Sequence, residues 1–185
     1  MSSPPPLTRS IYNPDQQLAV TFLKTSAETN GKYTLLECRL EPGGGVSRHV
    51  HRTYEKTFEV TDGVLGIETP TGRQKLYKGD RFVAVRHVRH RFFNATDRDC
   101  TFMTWIMPGK PGLEIATQIL FGLVADGQTR NGAPRDPRIL GWLLQLSNVR
   151  PSGWAGWLES WWRWQGRRAV KAGLDRRLIE QYVRY

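Results

Sequence analysis

The sequence predicts a mainly β fold, a sandwich or a barrel, followed by a helical C-terminal extension. Three observations predict it. The first ~110 residues hold short segments rich in β-branched and aromatic residues. Turn signals such as EPGGG, TDG and KGD separate these segments at roughly even spacing, which is typical of sandwiches and barrels. After Pro111 the apolar residues recur at helical spacing instead. We therefore divide the chain into a β domain, residues 1–110, and a helical extension, residues 111–185.

The predicted strands are all short and end at Gly, Pro, Asn or Asp. Their sequences are YTLLECRLEP (33–42), KTFEVTDGVLGIET (56–69), RQKLYKGDRFVAV (73–85), HRFFNAT (90–96) and CTFMTWIM (100–107). The turn signals TDG and KGD punctuate the second and third segments.

Four helices are predicted in the extension. LEIATQILFGLVADG (113–127) ends at Asp126-Gly127, and DPRILGWLLQLSN (136–148) offers Asp136 as N-cap and Pro137 at the first helical position. Residues 152–173 and 175–185 predict two further helices.

Composition excludes several function classes. The two cysteines, Cys38 and Cys100, provide neither a disulfide framework nor a cysteine metal site. No segment resembles a signal peptide, and the longest apolar run is far shorter than the ~20 residues of a transmembrane helix, so we expect a cytoplasmic protein. The net charge is +10, and half of the excess lies in residues 150–185. Since no nucleic-acid-binding motif accompanies it, we expect no nucleic-acid partner.

All four histidines lie between residues 49 and 90. His49 and His51 are two residues apart, so on a strand both side chains point to the same face. His90 follows about forty residues later in another predicted strand. Three imidazoles suit Zn, Cu, Fe or Ni far better than Mg or Ca. The pattern predicts a transition-metal site.

Two stretches resemble the motifs of the cupin superfamily. PGGGVSRHVHRTYEKTFEVTDG (42–63) resembles the first motif, and KGDRFVAVRHVRHRFFN (78–94) resembles the second, including Asn94. The opening YNPDQQLAVTFLKTSAETNGKYTLLECRLEPGGG is similar to that of quercetinase-like single-domain cupins. The resemblance spans roughly residues 12–110. It implies a double-stranded β-helix, or jelly roll, whose barrel is lined by His49, His51 and His90 as metal ligands.

The sequence departs from the family pattern at three positions. Lys56 stands where the family has a carboxylate ligand, and Val85 and His87 replace a proline and a glycine. His87 is either an extra imidazole near the mouth or a surface turn residue.

Lys56 leaves three interpretations open, because an ammonium repels a divalent ion. A three-histidine site can persist with the charge of Lys56 at the barrel mouth. Glu55 can replace the lost ligand if a one-residue bulge turns it inward. Alternatively the metal is gone, and Lys56 binds an anionic ligand or acts as a base. Glu55, Lys56 and Asn94 are thus candidates for a fourth ligand or for substrate binding, while Glu55 and Glu59 can also simply neutralise Lys56.

The tail carries an aromatic stripe. Trp154, Trp157, Trp161 and Trp164 recur at helical spacing and share one helix face, which must be covered. Packing onto the barrel or across a homodimer is the first expectation. Weak contact with a membrane surface is the alternative, because arginines and a lysine flank the stripe: Arg163, Arg167, Arg168 and Lys171.

The sequence therefore predicts a metal-binding cupin that acts as an oxygenase-like enzyme on a small organic molecule. The alternative is a non-catalytic, metal-free cupin that binds or senses a small molecule.

Overall fold

The computed structural model describes residues 9–151 and 157–184. Ten strands precede the first helix: β1 (Ser10–Asn13), β2 (Leu18–Lys24), β3 (Thr34–Leu40), β4 (His49–His51), β5 (Glu55–Asp62), β6 (Leu65–Thr69), β7 (Gly72–Leu76), β8 (Arg81–Ala84), β9 (Arg91–Phe93) and β10 (Cys100–Met107). The remaining elements are α1 (Pro111–Ala125), β11 (Thr129–Arg130), β12 (Ala133–Pro134), α2 (Pro137–Ser147), β13 (Val149–Pro151), α3 (Glu159–Lys171) and α4 (Leu174–Tyr182).

Two antiparallel sheets face each other, as in a jelly roll. The larger sheet has the strand order β1-β2-β3-β10-β5-β8, and the smaller has the order β7-β6-β9. Isolated bridges between Gly45 and Phe93 and between His49 and His90 tie the edges together. In the described part of the chain the ladders stay separate, so the expected barrel is a sandwich without a closed hydrogen-bonded ring.

Inward-facing residues alternate along the strands and fill the space between the sheets. Phe58, Phe92 and Phe102 meet there in tilted and T-shaped contacts, with ring centroids 5.4–6.0 Å apart. These geometries are the favourable ones for aromatic pairs. The three rings therefore join the larger sheet to the smaller one.

Helix α1 connects the sandwich to a second hydrophobic core. Leu113, Leu120 and Phe121 pack against the sandwich core. Ile119 and Leu123, on another side of the helix, belong to a core shared with α2, α3 and α4. The buried Glu114 carboxylate accepts a hydrogen bond from the Ser26 N–H at 2.7 Å and another from the Thr34 hydroxyl. Helix α1 is thus fixed to the sheets by both apolar and polar contacts.

Helices α2 and α3 cross where two glycines bring their backbones together. A Cβ atom on Gly141 would lie 2.4 Å from the Trp162 carbonyl oxygen, and Gly166 is similarly crowded by the Gln145 side chain. The Gln145 amide donates to the carbonyl oxygens of Gly141 and Trp162 at 2.8 and 3.3 Å. The predicted N-cap of α2 is confirmed, since the Asp136 carboxylate accepts from the Arg138 N–H at 2.8 Å.

The described Trp residues of the stripe are not buried against the sandwich. Trp157, which precedes α3, is exposed, as are Trp161 and Trp164 of α3, whereas the buried residues of this helix are Gln165, Gly166 and Ala169. Packing of the described stripe onto the barrel was therefore a wrong expectation. Trp154 lies outside the described residues. None of the described helices is long and apolar enough to span a membrane.

Candidate metal centre

The histidines come together where β4 meets the segment before β9. His49 and His51 lie at the ends of β4, and His90 directly precedes β9. The backbones of His49 and His90 exchange two hydrogen bonds, each of 3.0 Å. The potential ligand nitrogens of the three imidazoles lie within 4.8 Å of one another.

Backbone carbonyls determine the tautomers of two rings. His49 Nδ1 lies 2.7 Å from the Ser47 carbonyl oxygen, and His90 Nδ1 lies 3.0 Å from that of Val88. A carbonyl only accepts, so both Nδ1 atoms carry the proton and both Nε2 atoms keep a free lone pair. This is the usual arrangement that orients a metal-ligating histidine. His51 is oriented instead by the ring of Tyr54, with 4.5 Å between the centroids.

The spacing of the imidazole nitrogens fits a transition-metal ion. His49 Nε2 and His51 Nε2 are 3.2 Å apart, and tetrahedral Zn–N bonds of about 2.0–2.1 Å place two ligand nitrogens about 3.3 Å apart. His90 Nε2 is buried and has no hydrogen-bond partner among the described residues. Burial lowers the pKa of all three imidazoles, that of His49 to about 3, so the rings are neutral at physiological pH. Neutral imidazoles are the form that binds metals.

A cavity of about 300 Å³ lies beside the site; His49 and His51 line it, whereas His90 does not. Lys56 and Phe58 line it from β5, and Cys38 lines it from β3. Burial raises the pKa of the Cys38 thiol to about 11, so it is neither a thiolate ligand nor a nucleophile at neutral pH. Burial also lowers the pKa of Lys56 to about 8, and its charge contributes to lowering the pKa of each histidine.

Lys56 faces the cavity because β5 runs without a bulge at this point. Lys56 pairs with Ile106 on one side and Ala84 on the other, and both of these residues are buried. Since side chains alternate along a strand, Glu55 points the other way. Its carboxylate lies 3.5 Å from the Arg86 guanidinium. The interpretation in which Glu55 replaces the lost ligand is therefore wrong.

Two further candidate site residues, Asn94 and His87, have structural roles instead. The Asn94 amide donates to the carbonyl oxygens of Leu40 and Arg98, at 3.0 and 2.7 Å, and its oxygen accepts from Thr96. Asn94 thus holds the turn after β9 and does not reach the histidines. His87 is exposed with φ +65, and its N–H donates to the His51 carbonyl at 2.8 Å, so it is a turn residue.

Two features of the site were not predicted. Strand β13 pairs with β4, so that Val149 lies opposite His51 and Pro151 opposite His49. Glu68 binds the guanidinium groups of Arg48, Arg73 and Arg91, and thereby joins the residue before His49 to the residue after His90. The three-residue β13 has no strand pattern, and Glu68 stands in an ordinary strand, so neither was marked in the sequence.

Comparisons with known proteins agree with this description. Residues 36–107 match the family model described as Cupin domain. No curated protein sequence matches the chain.

Similar solved structures include the polyketide cyclase RemF from Streptomyces resistomycificus, with 17% identity and a TM-score of 0.50 over 60% of this chain and 81% of that chain. KdgF from Halomonas sp. has 17% identity and a TM-score of 0.46 over 51% and 82%. A predicted oxalate decarboxylase from Thermotoga maritima has 17% identity and a TM-score of 0.47 over 49% and 80%. At 17% identity the similarity to RemF shows the fold alone.

Proposed function

The chain belongs to the cupin superfamily through residues 36–107, and from this premise we propose that it is a metal-dependent enzyme acting on a small organic molecule. The convergence of three imidazole nitrogens carries the proposal, since two of the three histidines, His49 and His51, line a cavity. Such a cavity, with a few polar groups at one end, is the usual form of a small-molecule site.

His49, His51 and His90 would hold a Zn, Fe, Ni or Cu ion, which when bound acts as a Lewis acid toward a substrate oxygen. The carbonyls of Ser47 and Val88 keep two of the rings in the ligating tautomer. The apolar walls of the cavity exclude water around the substrate, which strengthens electrostatic interactions inside it.

Within this class, we propose an oxygenase of the quercetinase-like kind as the first activity to test. The resemblance of the opening segment and of both motifs to quercetinase-like cupins supports this choice. Oxygen consumption by the metal-loaded protein with phenolic substrates is the measurement.

A metal-free binding or sensing module is the second candidate function, and Lys56 favours it. The ammonium projects into the same cavity as the histidines, and its repulsion weakens the binding of a divalent cation. In that case the cavity would bind its ligand equally well in the presence of a chelator, and the histidines would only be polar lining.

Metal analysis of untagged protein separates the two candidates. We expect about one ion per chain in the wild type and less than a tenth of that in His49→Ala and His90→Ala, because each substitution removes one of three ligands. His87→Ala is the matched control, since His87 is exposed and should leave the metal content unchanged. Equal metal content in all four proteins, or none in any of them, would contradict a metal-dependent enzyme.

A further inference from the structure

The cavity beside the histidines is built from both parts of the molecule. On the sandwich side its walls include Leu36, Phe58 and Phe92. On the opposite side they are formed by the helical extension: Leu113, Ala116 and Leu120 of α1, and Leu140, Leu143 and Leu144 of α2. Apart from Thr117 and Ser147, the residues that α1 and α2 contribute to the lining are apolar, and they include the aromatic Phe121. The far end of the cavity is suited to an apolar group.

The charge inside this cavity is unbalanced. Lys56 is the one charged residue among those that line it, and no Asp or Glu lines it in the described part of the chain. The nearest carboxylates in the sequence have other partners, since Glu55 lies beside Arg86 and Glu59 binds Arg81 at 2.8 Å. The expectation that Glu55 and Glu59 neutralise Lys56 is therefore wrong. An ammonium in apolar surroundings is costly unless an anion accompanies it.

We propose that the cavity binds an amphiphilic organic anion, with a single acidic group beside Lys56 and the histidines and an apolar body beneath α1 and α2. This rests on the proposed function, because it names the substrate class of the same site. The anion balances the charge of Lys56, and the apolar body fills the space that the leucines enclose. Both contacts are made by the chain itself, so binding does not require a metal.

Three probes of equal length and different head groups test this proposal. Octanoate, 1-octanol and octylamine are titrated calorimetrically into metal-free protein in chelator at neutral pH. We expect octanoate to bind about tenfold tighter than octanol, because it adds a charge-assisted contact to the same apolar burial. Octylamine should bind most weakly, since its ammonium is repelled by Lys56.

Two substitutions in the cavity and one control outside it test what causes the preference for octanoate. Lys56→Met keeps the length and removes the charge, so octanoate and octanol should then bind equally. Lys78→Met, at an exposed position, is the matched control and should keep the tenfold preference. Ala116→Phe, which fills the helical side of the cavity, should weaken all three probes together.

The outcomes separate this inference from the proposed function. Equal binding of the three probes to the wild type, or an unchanged octanoate preference in Lys56→Met, would overturn the inference whatever the metal content. A preference that depends on Lys56, in a protein whose histidines bind no metal, would support the inference and overturn only the metal-dependent enzyme.

The outer face of α3 supports a second inference, which is independent of the cavity. Its inner face packs on α2 through Gly166 and Ala169, whereas Trp164 on the outer side is 46% exposed and Trp157, just before the helix, is 89% exposed. Arg168 lies over the ring of Trp164, 4.7 Å from its centroid. The outer face is therefore both aromatic and basic.

Charge determines what can cover this face. Arg167, Arg168 and Lys171 have no acidic partner among the described residues, since the only acidic residue of α3, Glu159, binds Arg52 and Arg163 at 2.6 Å. A two-fold homodimer through the face would bring like patches, and so like charges, together. Tryptophans with flanking cations are suited to the head-group region of an anionic bilayer.

We infer that the outer face of α3 docks peripherally on an anionic phospholipid surface. Sedimentation of the full chain with vesicles tests this. We expect binding to vesicles of equal parts phosphatidylglycerol and phosphatidylcholine, little binding to phosphatidylcholine alone, and release by salt. Trp157→Ser/Trp164→Ser and Arg167→Glu/Lys171→Glu should each reduce binding at least about tenfold. Lys75→Glu/Lys78→Glu, on exposed residues near β7, controls for net charge and should change binding far less.

Two results would overturn the inference. One is the absence of a difference between anionic and neutral vesicles. The other is a dimer, detected by analytical ultracentrifugation, that Trp157→Ser/Trp164→Ser dissociates without any effect on vesicle binding. Such a dimer would instead assign the face to a second copy of the chain.

Discussion

The two hydrophobic cores of the molecule are packed by different means. Between the sheets, three phenylalanine rings meet edge to face and the space beside them stays open as a cavity. Among the helices, Gly141 and Gly166 allow backbone to contact backbone and leave no room for even one added methyl group. The two cores therefore differ in how much open space they contain. The sandwich leaves an open cavity, and the closely packed helical core supplies one wall of it.

The largest effect should come from the aromatic junction of the sandwich. Phe102→Ala should lower the free energy of unfolding by about 3–5 kcal/mol, because Phe102 is fully buried and contacts Phe58 and Phe92. Urea denaturation followed by circular dichroism measures the loss. Val83→Ala, at an exposed sandwich position, is the control and should cost far less. Equal losses in the two variants would show that the rings do not join the sheets.

The tightness of the helical core can be tested with a single methyl group. Gly141→Ala should lower the free energy of unfolding by about 1–3 kcal/mol, since the new Cβ would lie 2.4 Å from the Trp162 carbonyl oxygen. The same denaturation experiment applies. Ordinarily a helical glycine replaced by alanine stabilises a protein by up to ~1 kcal/mol, so a gain in stability would show that α2 and α3 are not in backbone contact.

The charge in the cavity should set the metal affinity of the sandwich. Lys56→Glu should tighten Zn²⁺ binding by at least about tenfold, or ~1.4 kcal/mol, because a repelling charge becomes an attracting one. Competition with a fluorescent chelator measures the affinity. Lys78→Glu makes the same change of charge at an exposed position, and an equal gain there would show that residue 56 acts only through the net charge of the protein.

The smallest expected effect is the loss of stability on substituting Glu68, which lies outside the helical core and links the segment of His49 to that of His90. Hydrogen bonds from Arg48 and Arg91 lower the pKa of Glu68 to about 2 from its usual 4.5. A lowered pKa stabilises the fold above pH 4.5, and this contribution is lost as the pH falls toward 2. The melting temperature of the wild type should therefore exceed that of Glu68→Gln at neutral pH, and the difference should shrink progressively as the pH falls from 4.5 toward 2. A difference that is independent of pH in thermal melts would contradict a role for the ionised carboxylate.

Local patterns in the sequence were sufficient for the four helices, for β3 and β5 to β10, and for the histidine cluster. His49 and His51 share a face by strand alternation, and Asp136 and Pro137 define the start of α2 by helix-capping chemistry. Glu55 could not be placed, because its direction depends on where the strand is irregular. The register shift lies between Thr101 and Phe102, at the opposite end of the pairing. The spacing of the Trp residues was sufficient to assign them to one helix face. Which face is buried could not be predicted, because it depends on the small residues Gly166 and Ala169 on the other side.

The pairing of β13 with β4 has a consequence for the order in which the protein is made. The histidine strand is synthesised about a hundred residues before Val149, which pairs with His51. One edge of β4 therefore stays open through most of translation, although the sheets around it are already complete in sequence. Closing this edge is a late, long-range event of the kind that slows folding. The nascent chain thus passes through a stage at which the histidines are already present and the strand that flanks them is not.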